Sequence, residues 1–268
     1  MSGIDAHAHV FHRGLALASN RRYTPGYDAP LETYLAELDK AGLDHGVLVQ
    51  PSFLGTDNSY LVESLVRAGG RLRGIVVLDL KTSADALRAL DRAGVAGIRL
   101  NLVGRALPDL DDSIWRNFFA AIAGLGWQIE LQRRAPDLPA LVTRLRAHDL
   151  TVVLDHFALP DPAVGVTDPA FAEVLKLGTS GQVSGNVWVK LSGAYRNGPH
   201  GHAFARAAYP VLREAFGIDR LMWGSDWPHT RFEATESYAA NRAFLDALIP
   251  DERERARVLA GPRALFRF

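Results

Sequence analysis

Short apolar runs alternate with longer amphipathic stretches along this chain, and the two patterns predict different elements. Eight runs have the length and the Val, Ile, Leu and Trp content of strands. They are GIDAHAHVF (3–11), HGVLVQPS (45–52), LRGIVVLD (72–79), AGIRLNL (96–102), WQIELQ (127–132), TVVLDHF (151–157), VWVKLSG (187–193) and RLMWGSDW (220–227). Between them, apolar residues recur at helical spacing. LETYLAELDKAG (31–42) and SADALRALDRAG (83–94) each stop at a glycine, and the second opens on a serine suited to capping a helix. DSIWRNFFAAIAGLG (112–126), LPALVTRLRAHD (138–149) and ESYAANRAFLDAL (236–248) read the same way. Repeated strand–helix alternation predicts an α/β protein with a parallel sheet closed into a (β/α)8 TIM barrel, as one domain over residues 1–268. A doubly wound open sheet is the competing arrangement. It lacks a G-x-G-x-x-G after the first strand, the main mark of dinucleotide binding. The longest non-periodic stretches, 11–30 and 159–169, suit loops at the barrel mouth.

Barrel strands alternate inward and helix-facing side chains, so parity predicts which polar residues share a face. His7 and His9 share one, and Asp5 joins them. Gln50 goes with Ser52, and Arg99 with Asn101. Gln128, Glu130 and Gln132 oppose Ile129 and Leu131. Lys190 goes with Ser192, Asp226 with Gly224, and parity separates His156 from Asp155. The polar sets oppose aliphatic ones that suit packing against helices, so they point inward. Burying an unpaired charge costs several kcal/mol. Arg99, Glu130, Lys190 and Asp226 must therefore pair or meet a ligand. They lie toward the C-terminal ends of their strands, where barrel enzymes keep their chemistry. That placement predicts an enzyme.

Composition narrows the partners. Lys and Arg total 30 and so do Asp and Glu, which gives no net attraction to nucleic acid or an anionic membrane. The absence of cysteine excludes disulfides, thiolate nucleophiles and cysteine-bound zinc. Strand-like sequence from Gly3 leaves no room for a signal peptide, and no apolar run approaches the roughly 20 residues of a membrane span. A cytoplasmic protein acting on a small molecule is expected.

The candidate chemistry lies in His7-Ala8-His9, His156 and Asp226, each at a predicted strand end. Two histidines at period-two spacing can hold one cation or polarise one oxygen, and an aspartate across the barrel can deprotonate a water. With these motifs in place, DAHAHVF, QPSFLGTDN, GIRLN, VVLDHF, NVWVKLSGAYR and LMWGSDWPH together resemble the amidohydrolase superfamily. Within it, they resemble the group around 2-pyrone-4,6-dicarboxylate lactonase and related sugar-lactone and muconolactone hydrolases.

The resemblance implies a lactonase. His7, His9 and His156 would polarise the ring carbonyl, and Asp226 would be the general base for water. It also implies that no metal is required. One zinc or manganese ion held by His7, His9, His156 and Asp226 is the alternative. Many amidohydrolases hold two metals with a carboxylated lysine on strand four and a histidine on strand five. Arg99, Asn101, Glu130 and Gln132 stand here instead, which argues against a two-metal site. Candidate substrate-binding residues are Tyr23, Tyr27, Ser52, Asn58, Arg99, Asn101, Arg105, Glu130, Lys190 and Arg196. The lactonase has an arginine after the strand-six Asp-His and a tyrosine on strand five, where this chain has Leu159 and Glu130. These differences predict a mono-anionic or neutral lactone as substrate. Rival readings are a metal-dependent decarboxylase of the same superfamily, a lactone isomerase and a non-catalytic binder.

Overall fold

The computed structural model describes residues 3–180 and 184–268. Among these, eight strands form one sheet in the order β1-β2-β3-β4-β5-β6-β7-β8. They are β1 (Ile4–Ala8), β2 (His45–Val49), β3 (Leu72–Val76), β4 (Val95–Asn101), β5 (Gln128–Gln132), β6 (Val152–Leu154), β7 (Val187–Ser192) and β8 (Leu221–Gly224). A helix follows each strand: α1 (Leu31–Lys40), α2 (Ser59–Arg67), α3 (Ala84–Arg92), α4 (Ser113–Ala123), α5 (Leu138–Arg146), α6 (Pro169–Thr179), α7 (Gly201–Phe216) and α8 (Tyr238–Leu248). Two more helices, α9 (Glu252–Ala260) and α10 (Arg263–Phe266), end the chain. The pairings β1–β2, β2–β3, β3–β4, β5–β6 and β6–β7 are parallel. The fold is the predicted (β/α)8 barrel class. No helix among the described residues is long and apolar enough to cross a membrane.

By its contacts the chain forms two compact units, Met1–Arg99 with Trp223–Phe268, and Leu100–Met222. In the first, the segment after β8 is laced to β1. Ala8 bridges Trp227 in parallel, Asp226 N donates to His7 O at 2.8 Å, and His9 N donates to Trp227 O at 2.7 Å. The approach is close enough to require glycine at 224, where an added Cβ would lie 2.5 Å from His7 Cβ. β1 itself is irregular. Asp5 pairs with Gly46 but Ala8 with Leu48, so three residues of β1 span two of β2. Such a bulge breaks the inward–outward alternation.

That bulge changes one expectation. Asp5 does not join the histidines. Its carboxylate takes hydrogen bonds from Ser225, and the phenols of Tyr34 on α1 and Tyr238 on α8 lie beside it, so it faces the helix layer. Trp227 stacks on Tyr34 on the same side, with ring centroids 5.5 Å apart. Helix starts follow the sequence signals. Ser83 Oγ accepts from Ala86 N and caps α3, and Asp112 does the same for α4 through Ile114 N.

In the second unit α5 packs on β6 and α7 on β7. Ile129, Leu131, Val152, Leu154, Val187 and Val189 are all buried. β6 is shorter than its sequence suggests and stops at Leu154. His156, Phe157, Ala158 and Leu159 then all take positive φ, between 44° and 62°. Left-handed backbone costs a side-chain-bearing residue roughly 1–2 kcal/mol, so this turn persists only if its surroundings hold it. Several bonds do so. Asn197 Nδ2 donates to His156 O, Ala135 N to Leu159 O, and Arg134 Nη1 to Pro160 O.

Candidate active site

In the first unit, β1 and the segment after β8 bring three of the candidate side chains together. His7, His9 and Asp226 are 0%, 6% and 0% exposed. Asp226 Oδ1 lies 3.8 Å from His7 Nε2 and 3.6 Å from His9 Nε2, and the two imidazole rings meet edge to face. Asp226 has a φ of 58°, so it sits in a left-handed turn just past the strand.

His9 Nδ1 contacts the Val49 carbonyl at 2.6 Å. A carbonyl only accepts, so Nδ1 carries the hydrogen and a neutral ring presents its Nε2 lone pair toward Asp226. Burial lowers the His9 pKa and favours that neutral form. Asp226 opposes the shift, and the Arg99 charge reinforces it. A neutral His9 Nε2 is an acceptor, so a group placed against it donates, as a water does, or carries positive charge. The nitrogen and oxygen atoms of His7, His9 and Asp226 lie within 4.8 Å of one another and match the nitrogen–oxygen donor set of a single divalent cation.

The remaining residues of this unit sort by what they already hold. Arg99 is 4% exposed and donates through Nη2 to the Gln50 carbonyl. Asn58 donates to the carbonyls of Thr56 and Val77 and accepts from Val77 N, so it secures the loop after β2. Ser52 is half-buried and opens a 3₁₀ turn. Tyr23 donates to Glu233 at 2.9 Å, tying the long first loop to the segment after β8. Tyr27 packs edge to face on Phe11 and is held protonated by burial and by the Glu233 charge.

The second unit holds a different kind of polar group. Lys190 Nζ bonds Glu130 at 2.5 Å and lies 3.5 Å from Asp155, with all three side chains fully buried. Glu130 is therefore charge-compensated. Lys190 takes the pairing role that its inward position allowed. His156 Nδ1 meets Ser192 Oγ at 3.0 Å. Parity placed Asp155 and His156 on opposite faces, yet both reach polar groups of β7. Asp155 meets Lys190, and His156 meets Ser192. Alternation ends with β6 at Leu154, and the left-handed turn redirects the chain. Arg105 is exposed, and its carbonyl accepts from Arg133 Nη1. Asn101 is half-buried at the end of β4. The half-buried Arg196 lies over the Tyr195 ring, 5.4 Å from its centroid.

Sequence reasoning missed three contributors: Ser225, Asn197 and Glu233. Ser225 was visible in the GSDW motif beside Asp226, but its partner is 220 residues away.

The chain is similar to known proteins over most of its length. The chain is 36% identical to a 2-pyrone-4,6-dicarboxylate hydrolase of Comamonas testosteroni, over 84% of this chain and 76% of that one. It is 31% identical to a 4-sulfomuconolactone hydrolase of Rhizobium radiobacter, over 85% and 76% respectively. A solved structure from Pseudomonas putida, assigned as a 2-pyrone-4,6-dicarboxylic acid hydrolase, is similar with a TM-score of 0.92 and 48% identity, covering 99% of this chain and 97% of that one. The amidohydrolase family profile matches residues 4–268, and the chain belongs to the amidohydrolase family.

Proposed function

We propose that this protein hydrolyses a small lactone, with Asp226 as general base. The observation that carries the reading is the buried acceptor pair, His9 Nε2 and Asp226 Oδ1, 3.6 Å apart. A water lying against both would donate one hydrogen to each, which orients its remaining lone pair outward for attack. Asp226 takes the proton as the water oxygen bonds to the carbonyl carbon. The tetrahedral intermediate collapses by breaking the bond to the ring oxygen, and protonated Asp226 returns its proton to that leaving oxygen. One water is consumed and one hydroxy acid is formed.

The developing oxyanion needs positive charge or donors close by. The sequence resemblance gives that polarising role to His7 and His9 beside Asp226 and to His156, from the turn after β6. Turnover needs no added metal in this reading. Should a divalent cation bind, His7, His9 and Asp226 would hold it, and it would polarise the carbonyl. Leu159 and the charge-compensated Glu130 stand where the related lactonase has an arginine and a tyrosine. With one cationic group fewer, the preferred substrate is a mono-anionic or neutral lactone.

The test is a panel of muconolactone, a sugar lactone, 4-sulfomuconolactone and the pyrone dicarboxylate, run with and without a chelator. Hydrolysis of muconolactone or the sugar lactone that survives chelation supports the reading. Preference for the dicarboxylate contradicts the substrate assignment, and complete loss with chelator contradicts metal independence. A panel with no turnover contradicts the lactonase reading.

A further inference from the structure

Asp226 is the residue on which the proposed chemistry depends, and its backbone sits in a left-handed turn that residues other than glycine adopt uncommonly, aspartate among the more tolerant of them. The question is what holds it there. Glycine, the usual solution, is not used at 226.

The neighbouring bonds converge on one buried side-chain pair behind β1. Asp5 Oδ1 accepts from Ser225 N at 2.8 Å and from His7 N at 3.2 Å. Asp5 Oδ2 accepts from Ser225 Oγ at 2.6 Å. Ser225 Oγ in turn accepts from Trp227 N at 3.0 Å. The carboxylate therefore grips the residue before Asp226, and the serine hydroxyl grips the residue after it. Both side chains are 0% exposed. Asp226 N completes the lacing by donating to His7 O at 2.8 Å. The same carboxylate thus fixes the backbones of both His7 and Ser225, and so the registry between the histidine strand and the base.

We infer that the Asp5–Ser225 pair is a positioning clamp, built on the helix side of β1, that sets Asp226 against His7 and His9. Neither residue touches the reacting atoms. Each acts through the backbone of residues 225–227. The inference rests on the reading of Asp226 as the base. A displacement of about 1 Å at such a group can cost roughly 10²-fold in rate without weakening substrate binding.

The experiment compares Ser225→Ala, Ser225→Thr, Asp5→Asn and Asp226→Asn in the full chain. The probe is muconolactone, backed by a crystal structure of Ser225→Ala. Ser225→Ala should lower kcat about 10–100-fold while KM stays within about twofold. Ser225→Thr keeps the hydroxyl and should restore most of kcat. A residue needed only for folding would lower the active fraction and the melting temperature without this kcat–KM split and without rescue by threonine. Should Ser225→Ala fail to fold, Asp5→Asn reads the same clamp. It keeps one acceptor oxygen but presents an amide donor to the serine hydroxyl, and an intermediate loss of kcat is expected. If Asp226→Asn abolishes turnover while Ser225→Ala and Asp5→Asn stay within twofold of wild type, the clamp is overturned and the base stands. If Asp226→Asn retains turnover, or muconolactone is not a substrate, the crystal structure decides. An Asp226 carboxylate displaced from His9 supports the clamp, and one superimposing on the wild type overturns it.

Discussion

The two compact units handle their buried charge in opposite ways. In Leu100–Met222, Lys190 lies between Glu130 and Asp155, and its cation stands 2.5 and 3.5 Å from their carboxylates. In the other unit, His7 and His9 stand 3.8 and 3.6 Å from Asp226, too far for a direct hydrogen bond. The first arrangement is a contact ion pair with a second carboxylate at its side. The second sets two imidazole nitrogens and a carboxylate oxygen within 4.8 Å of one another, the cluster on which the proposed chemistry rests. Parity along the strands placed Glu130, Lys190 and Asp226 inward without distinguishing these roles. Only the partners do.

The largest expected effect tests the ion-paired group. Lys190→Met should destabilise the fold by about 3–5 kcal/mol, because it leaves two carboxylates buried without their cation. Chemical denaturation measures it. A loss below about 1 kcal/mol, with turnover abolished, would instead make Lys190 a participant in catalysis and erase the contrast between the units.

Gly224→Ala comes next. Its added methyl would press on His7 Cβ, and overpacking of this kind costs typically about 1–3 kcal/mol. Because the strain falls on the histidine strand, kcat should fall along with the melting temperature. A variant with normal activity and stability would show that the approach of β8 to β1 is not tight.

The smallest effect is a pH dependence of stability. Burial pushes the Asp5 carboxyl up from its ordinary 3.8 to about 6, although hydrogen bonds from Ser225 and His7 oppose the shift. Its folded pKa lies above its unfolded one, so the folded state holds the extra proton between them. The contribution of Asp5 to stability is therefore greatest below about 4 and is lost as pH rises through about 6. Melting temperatures of wild type and Asp5→Asn, followed from pH ~4 to ~7, should show the wild type losing ground to the variant as pH rises. A constant difference would contradict this.

Much of the molecule was legible in its sequence, for identifiable reasons. All eight strands show as apolar runs because a strand buried on both faces needs little polar surface. The histidine pair and Asp226 show because they sit at strand ends in recognisable motifs. Helices α2, α6 and α7 did not stand out, and α7 carries Pro210 within it and begins just after the Gly198-Pro199 break. The face of Asp5 was misread because a bulge is a property of two strands in register, and one strand's sequence does not record it. The shared polar side of Asp155 and His156 was missed because it depends on four left-handed residues, none of them glycine, that tertiary bonds hold in place. The Asp5–Ser225 pair joins positions far apart in the chain and leaves no local signal.

The measurement that bears most directly on this account is steady-state kinetics of Asp226→Asn on a lactone that the wild type hydrolyses. The account predicts that kcat falls by about 10²–10⁴-fold, the range for a lost acid–base group, with KM little changed. Turnover within a few-fold of wild type would contradict it.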